Sequence, residues 1–208
     1  MWITGPVESW HRVASALLGS VVPRPGNDCG LVECEPGWSW NPRTNDFDLW
    51  LVLAGHGTAQ LAGQSVDLVA GMMVVLRTGD AGRFEHERDH PLTVAYCHFD
   101  LFAPGSTQPV RVAEDLLPSR VVRLAVPAIE ADQMRALIRH ASDPHPFVAV
   151  ERTALLTTVL LDIYRQDAAQ HGHPVTSMDP RIQRVVGRIR ARPGQRMSLA
   201  AASELADL

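Results

Sequence analysis

The chain has no lysine, so all 19 basic residues among its 208 are arginine. It also lacks any run approaching the ~18–20 apolar residues that a helix needs to cross a bilayer, and no membrane span is expected. The opening segment, Met1 to Trp10, holds no basic stretch followed by an apolar core, so an export signal is not expected. Cysteine is scarce. Cys29, Cys34 and Cys97 are an odd count, which argues against a disulfide framework and for free thiols in a reducing cytoplasm. The region between residues 31 and 102 contains no His-x-His pair. A neutral-imidazole metal site needs three or four converging ligands, so neither a metal nor another cofactor is expected.

What is present is ordinary in bulk and uneven in detail. Hydrophobic content of 46% with 20% charged residues fits a soluble globular protein. The net charge of −4 conceals a split. Six arginines (Arg181, Arg184, Arg188, Arg190, Arg192, Arg196) lie between Pro180 and Met197 with no acidic residue among them. That segment carries +6 and residues 1–179 carry −8. An acidic body with a basic tail is expected where one part of a protein touches nucleic acid and the other does not.

The tail is also patterned. Asp179 suits a helix cap and Pro180 a first helical position. Ile182, Val185, Val186 and Ile189 follow at helical spacing. Pro193-Gly194 ends that helix, and Ser198 is placed to cap a second one carrying Leu199, Ala202, Leu205 and Ala206. A third helix, the one that would enter a DNA groove, is expected to follow. The sequence is therefore expected to be a piece of a longer protein.

Residues 8–18 read as a short helix, and Pro23–Asp28 reads as a loop. From Leu31 to about Phe102 short apolar or alternating runs are broken by glycine, proline and aspartate: Phe47–Ala54, Gly57–Leu61, Ser65–Val69, Met72–Leu76 and Leu92–Phe99. Ala62-Gly63-Gln64 is a tight turn, and Arg120–Val126 is a further strand-like piece. Many short strands without helices between them predict an antiparallel sandwich or barrel. After Pro127 the period becomes helical. Ile129, Met134, Leu137 and Ile138 mark one helix, and Phe147–Ala169 a longer one. The longer helix carries a leucine-rich stripe of Leu155, Leu156, Val159, Leu160 and Ile163. Two uses of that stripe stand open: packing on the barrel, and a dimer seam.

This order of parts resembles the AraC family of bacterial transcription regulators. The resemblance rests on Phe47–Gly57, Asp67–Gly71, Leu76–Asp80 and Tyr96–Phe99 in the barrel, and on Asp179–Leu208 as the opening of a DNA-binding domain. It implies a mainly β chain with C-terminal α structure. Its parts are a cupin-like, jelly-roll sensor barrel with an N-terminal arm (1–126), dimerisation helices (127–170), a linker (171–178) and an incomplete helix-turn-helix domain (179–208). The function it implies is a cytoplasmic, homodimeric, ligand-responsive regulator with no catalytic activity of its own. DNA would be bound only through the full-length protein, with Arg181, Arg184 and Arg188 near it. The chain departs from metal-binding cupins, since Gly82 stands where many relatives have histidine.

Alternation puts Val94, Tyr96 and His98 on one face, and Trp50 with Asp48 and Val52 on another. By the family pattern both faces look inward. The candidate ligand set is Trp38, Trp40, Arg43, Trp50, Arg83, Phe84, Tyr96 and His98, suited to a small polar effector such as a sugar. The bland use of Trp50 and Tyr96 is to fill the barrel. A metal-dependent cupin enzyme, a dioxygenase or isomerase, is the alternative. A natural short form that dimerises without binding DNA is a third reading.

Overall fold

The computed structural model describes residues 16–172, 181, 185, 188 and 197–206. The chain divides into two compact units, Met1–His173 and Pro174–Leu208. In the first unit, nine strands form two antiparallel sheets. The strands are β1 (Val22–Glu33), β2 (Ser39–Trp40), β3 (Phe47–Ala54), β4 (His56–Leu61), β5 (Gln64–Val69), β6 (Met72–Leu76), β7 (Gly82–His86), β8 (Thr93–Phe102) and β9 (Val121–Arg123). One sheet runs β1-β8-β3-β6-β9 and the other β2-β7-β4-β5. Two helices follow, α1 (Pro127–Arg139) and α2 (Val148–Gln170). The architecture is mainly β and cupin-like, with helices after the sheets. Among the described residues no helix is long and apolar enough to cross a membrane.

Strand β3 explains the layering. Its sequence, Phe-Asp-Leu-Trp-Leu-Val-Leu-Ala, is almost continuously apolar because both faces are covered. Leu49 and Leu51 point to one side, where they join Cys97 and Phe99 of β8 with Met134, Leu137, Leu156 and Ile163 of the helices. Trp50 and Val52 point to the other side, where they meet Val74, Val94 and, from the second sheet, Ala59, Leu68 and Phe84. The five-stranded sheet is thus sandwiched between two cores, one under the helices and one inside the barrel.

One expectation changes here. Residues 23–28 are part of a 12-residue strand, not a loop. Among the described residues β1 pairs only with β8, so it is a sheet edge, where proline is tolerated because its missing N–H faces no partner. Its register shifts between Pro25 and Cys29, and the intervening Gly-Asn-Asp is a bulge. Glu85 and His86 lie on β7, which is paired on both sides by β2 and β4. The stripe on α2 serves largely the first of its two open uses, packing inside the chain. Leu156, Val159, Leu160 and Ile163 are buried in the core under the helices, and Leu155 packs against its edge. Four of the five side chains are spent on packing within the chain, and Leu155 is partly exposed.

The Ala62-Gly63 turn joins β4 to β5 with positive φ at both positions, 49° and 79°. Gly55 allows the exit from β3. Its φ is +85°, and a Cβ there would sit 2.1 Å from the Pro91 carbonyl oxygen. Of the expected N-terminal helix, residues 16–20 are helical and the remainder lies outside the described residues.

In the second unit, residues 181, 185 and 188 are helical, with Arg181 and Arg188 exposed. Arg184, most of the expected linker and Ile182, Val186 and Ile189 lie outside the described residues. A further helix, α3, spans Leu199–Ala206. Ser198 caps it: the Ala201 N–H donates to Ser198 Oγ at 3.1 Å, the N-cap pattern expected from the sequence.

Candidate functional site

A half-open cavity of about 230 Å³ lies at the mouth of the barrel between the two sheets. Its sheet wall is built from cross-strand neighbours. On β3 and β8, Asp48 faces His98, Trp50 faces Tyr96 and Val52 faces Val94. Period-two alternation sends all six to the barrel side, while their neighbours Leu49, Cys97 and Phe99 go to the helix side. Edge strand β1 adds Val32 and, from its bulge, Asp28. The facing wall is Trp38 and Trp40, with Cys34 beside them. Phe84 pairs with Trp40 across β7 and β2 and backs this wall.

The tryptophans form a stacked group. Trp40 and Trp50 lie parallel at 4.4 Å between centroids, and Trp38 stacks on both at 6.4 and 6.3 Å. Phe84 tilts against Trp50 at 4.9 Å and against Trp40 at 5.4 Å. Three strands must converge for this contact, so the group also joins the two sheets. Tyr96 lies across Gly30 of β1, its register partner. A Cβ at position 30 would stand 3.0 Å from Tyr96 Cε1 and 3.2 Å from its hydroxyl. Glycine therefore lets the ring lie over the edge strand and reach Asp28.

The polar groups gather around His98. Its Nδ1 donates to Asp46 Oδ1 at 2.9 Å. Its Nε2 faces Asp48 Oδ2 at 3.4 Å and Asp28 Oδ2 at 3.7 Å. Trp50 Nε1–H donates to Asp48 Oδ2 at 2.8 Å, and the Tyr96 hydroxyl donates to Asp28 Oδ1 at 3.2 Å. Asp48 is 0% exposed, and its Oδ1 has no hydrogen-bond partner.

Burial pushes the Asp48 carboxyl up to about 7, against the opposing pull of His98 and the Trp50 hydrogen bond. For His98, burial works against the charged ring, but the Asp46 hydrogen bond and the charges of Asp48, Asp46 and Asp28 outweigh it and raise its pKa. A buried carboxyl and an imidazole, both raised and facing each other in a concave site, mark a candidate for functional chemistry.

Of the residues singled out from sequence, Trp38, Trp40, Trp50, Tyr96 and His98 line the cavity, and Phe84 lies behind it. Arg43 and Arg83 do not line it. Arg43 is exposed in a bridge with Ala81, and Arg83 is exposed on β7, paired with Glu85. Arg83 neighbours Phe84 on one strand, so alternation sends the two to opposite faces. Asp28, Val32 and Cys34 were not expected. Asp28 could not be placed without the bulge. Asp48 and Val94 share the faces already read as inward.

The residues present do not fit a metal. Among the described residues, no group of three or more His, Cys, Asp or Glu is arranged to hold an ion. His86 of β7 accepts from the Leu92 N–H at 3.3 Å and stands edge-on to Trp38.

No protein-family model and no curated protein matches the chain. Solved structures do. The EutQ protein of Clostridium difficile is similar at 18% identity with a TM-score of 0.31, over 36% of this chain and 56% of that one. A predicted oxalate decarboxylase of Thermotoga maritima is similar at 20% identity and a TM-score of 0.31, over 33% of this chain and 61% of that one. The Cnp3 cupin domain of Schizosaccharomyces pombe is similar at 14% identity and a TM-score of 0.31, over 38% and 55%. The chain thus spans less than two thirds of each of these proteins, and scores this low carry no function across. The strand order and the two antiparallel sheets themselves make the first unit a cupin-like barrel, with an aromatic, acidic cavity at its mouth.

Proposed function

We propose that this chain is the sensing part of a ligand-responsive transcription regulator of the cytoplasm. A small effector occupies the barrel mouth, and DNA binding belongs to the full-length, dimeric protein. One observation carries the reading. Arg152 of α2 is buried and donates to the Gly26 carbonyl and, at 3.6 Å, to Cys29 Sγ. Those residues flank Asp28 in the β1 bulge, so the cavity wall is tied to the helix that leads out of the first unit. A ligand that pulls on Asp28 has a direct mechanical partner in α2. An effector shifts an equilibrium only by its differential affinity for the two states, and such a tie is one way to create that difference.

The arginine-rich segment and the Ser198-capped helix support the DNA-binding half of the reading. Among the described residues the lining offers one histidine and no group arranged to hold an ion, which disfavours a metal-dependent enzyme. The test is operator binding by the full-length protein, with and without an effector that protects this chain. The reading expects a change of about fivefold or more in DNA affinity, the lower range of ordinary allosteric coupling. Unchanged DNA affinity at saturating effector refutes it.

A further inference from the structure

We infer that the effector is a compact organic cation, a protonated amine that keeps at least one N–H, held by Asp48 and Asp28 against the tryptophan faces. The inference rests on the sensing role proposed above and names the chemistry of its ligand.

The cavity has a surplus of acceptors. The nearby donors are already spent within the cluster: the Trp50 N–H on Asp48, the Tyr96 hydroxyl on Asp28, and the His98 Nδ1 on Asp46. What remains is Asp48 Oδ1, fully buried and without a partner; burial alone favours the protonated carboxyl, and a cation beside it draws the group to the carboxylate, whose Oδ1 then accepts. A buried acceptor left empty is costly, so this oxygen selects a partner that donates. Among the described residues no arginine lines the cavity, and the chain has no lysine, so His98 alone could answer a carboxylate or phosphate, and it is already faced by three carboxylates. Asp28 and Asp48 line the cavity and Asp46 stands behind His98, so the acidic groups outnumber the single imidazole.

A sugar hydroxyl both donates and accepts. It would satisfy Asp48 but would leave its own lone pairs facing carboxylates. An ammonium only donates, and its charge is further stabilised by aromatic faces within about 6 Å. Trp38, Trp40 and Tyr96 are all partly exposed around the cavity. The N–H requirement separates a protonated amine from a quaternary ammonium, which has no donor for Asp48. The volume, about 230 Å³, is below the ~300–1,000 Å³ of drug-sized pockets, so the cation is small.

Charged and neutral isosteres test this on the chain as it stands. Piperidinium is compared with tetrahydropyran, and benzylammonium with benzyl alcohol, by calorimetric titration at neutral pH; arabinose and glucose serve as sugar probes. At least one amine is expected to bind tenfold or more tightly than its neutral isostere, and to shift the tryptophan emission. Asp48→Asn should weaken that amine at least tenfold. Asp28→Asn, at a side chain 70% exposed and therefore safe for folding, should weaken it severalfold. Tetramethylammonium should bind more weakly than the protonated amines. Equal binding of amine and isostere, or amine binding untouched by both substitutions, overturns the inference. Binding of a sugar with no binding of either amine overturns the cation while leaving the sensor reading intact. Binding of nothing at the cavity, across amines and sugars alike, counts against both.

Discussion

Truncating Leu156 to alanine separates the two uses of the α2 stripe. Leu156 is 0% exposed and sits between the five-stranded sheet and α1. A buried leucine cut to alanine loses its transfer free energy and leaves a cavity, at a cost of about 3 kcal/mol within a ~2.7–5 kcal/mol range. Because the contacts lie within one chain, this cost does not depend on protein concentration. Urea unfolding at two concentrations tenfold apart measures it. With a slope of about 2 kcal/mol per molar, the midpoint should fall by roughly 1.5 M, equally at both concentrations. Val150 on the same helix is 68% exposed and serves as the control. Val150→Ala should change stability by less than about 0.5 kcal/mol. A loss below ~1 kcal/mol for Leu156→Ala, or a loss that appears only at the lower concentration, refutes the packing argument and restores the stripe to a dimer seam.

Acidity should stabilise the protein. Asp48 holds its proton up to about 7 in the folded state but only to ~3.9 when unfolded, so folding takes up protons in that window and stability falls as pH rises through it. The raised His98 acts in the same direction, its contribution being full below its unfolded value and lost as pH rises through its folded one. The unfolding midpoint should therefore be higher at pH 6 than at pH 8.5, and Asp48→Asn should flatten the difference; a midpoint that rises with pH contradicts the site electrostatics. A second prediction concerns the β4–β5 turn, where Ala62 holds a φ of +49° beside Gly63. Asparagine tolerates this conformation better and Asn-Gly is the favoured pair for such a hairpin. Ala62→Asn should add about 0.5–1 kcal/mol, or about 2 °C by calorimetry in a chain of this size; a lower midpoint would mean the turn is not the strained element.

Much of the barrel could be read from period-two alternation. β3, β4, β5 and β6 lie where the apolar runs place them, because each run is bounded by residues that break strands. The inward face of β8 was legible for the same reason, and with it Tyr96 and His98. β1 was hidden because Pro-Arg-Pro-Gly reads locally as a turn, and only pairing with β8 makes it a strand. Asp28 was lost along with it. Arg83 was drawn in by its neighbour Phe84, but a strand sends neighbours to opposite faces, and Arg43 lies past the end of β2, in an isolated bridge with Ala81. The α2 stripe shows a different limit. Its spacing says that one face is buried, but spacing alone does not say against what.

The central claim is that the barrel mouth is a ligand site. Thermal unfolding of the wild-type chain and of Trp40→Ala, screened against amines, sugars and small metabolites, tests it most directly. A compound at about a hundred times its Kd should stabilise the wild type by about 2.7 kcal/mol. At roughly 2–4 °C per kcal/mol, that raises the midpoint by about 5–10 °C. At least one compound should give such a shift, and Trp40→Ala should lose it. A panel without any shift, or a shift that survives removal of Trp40, would contradict the claim.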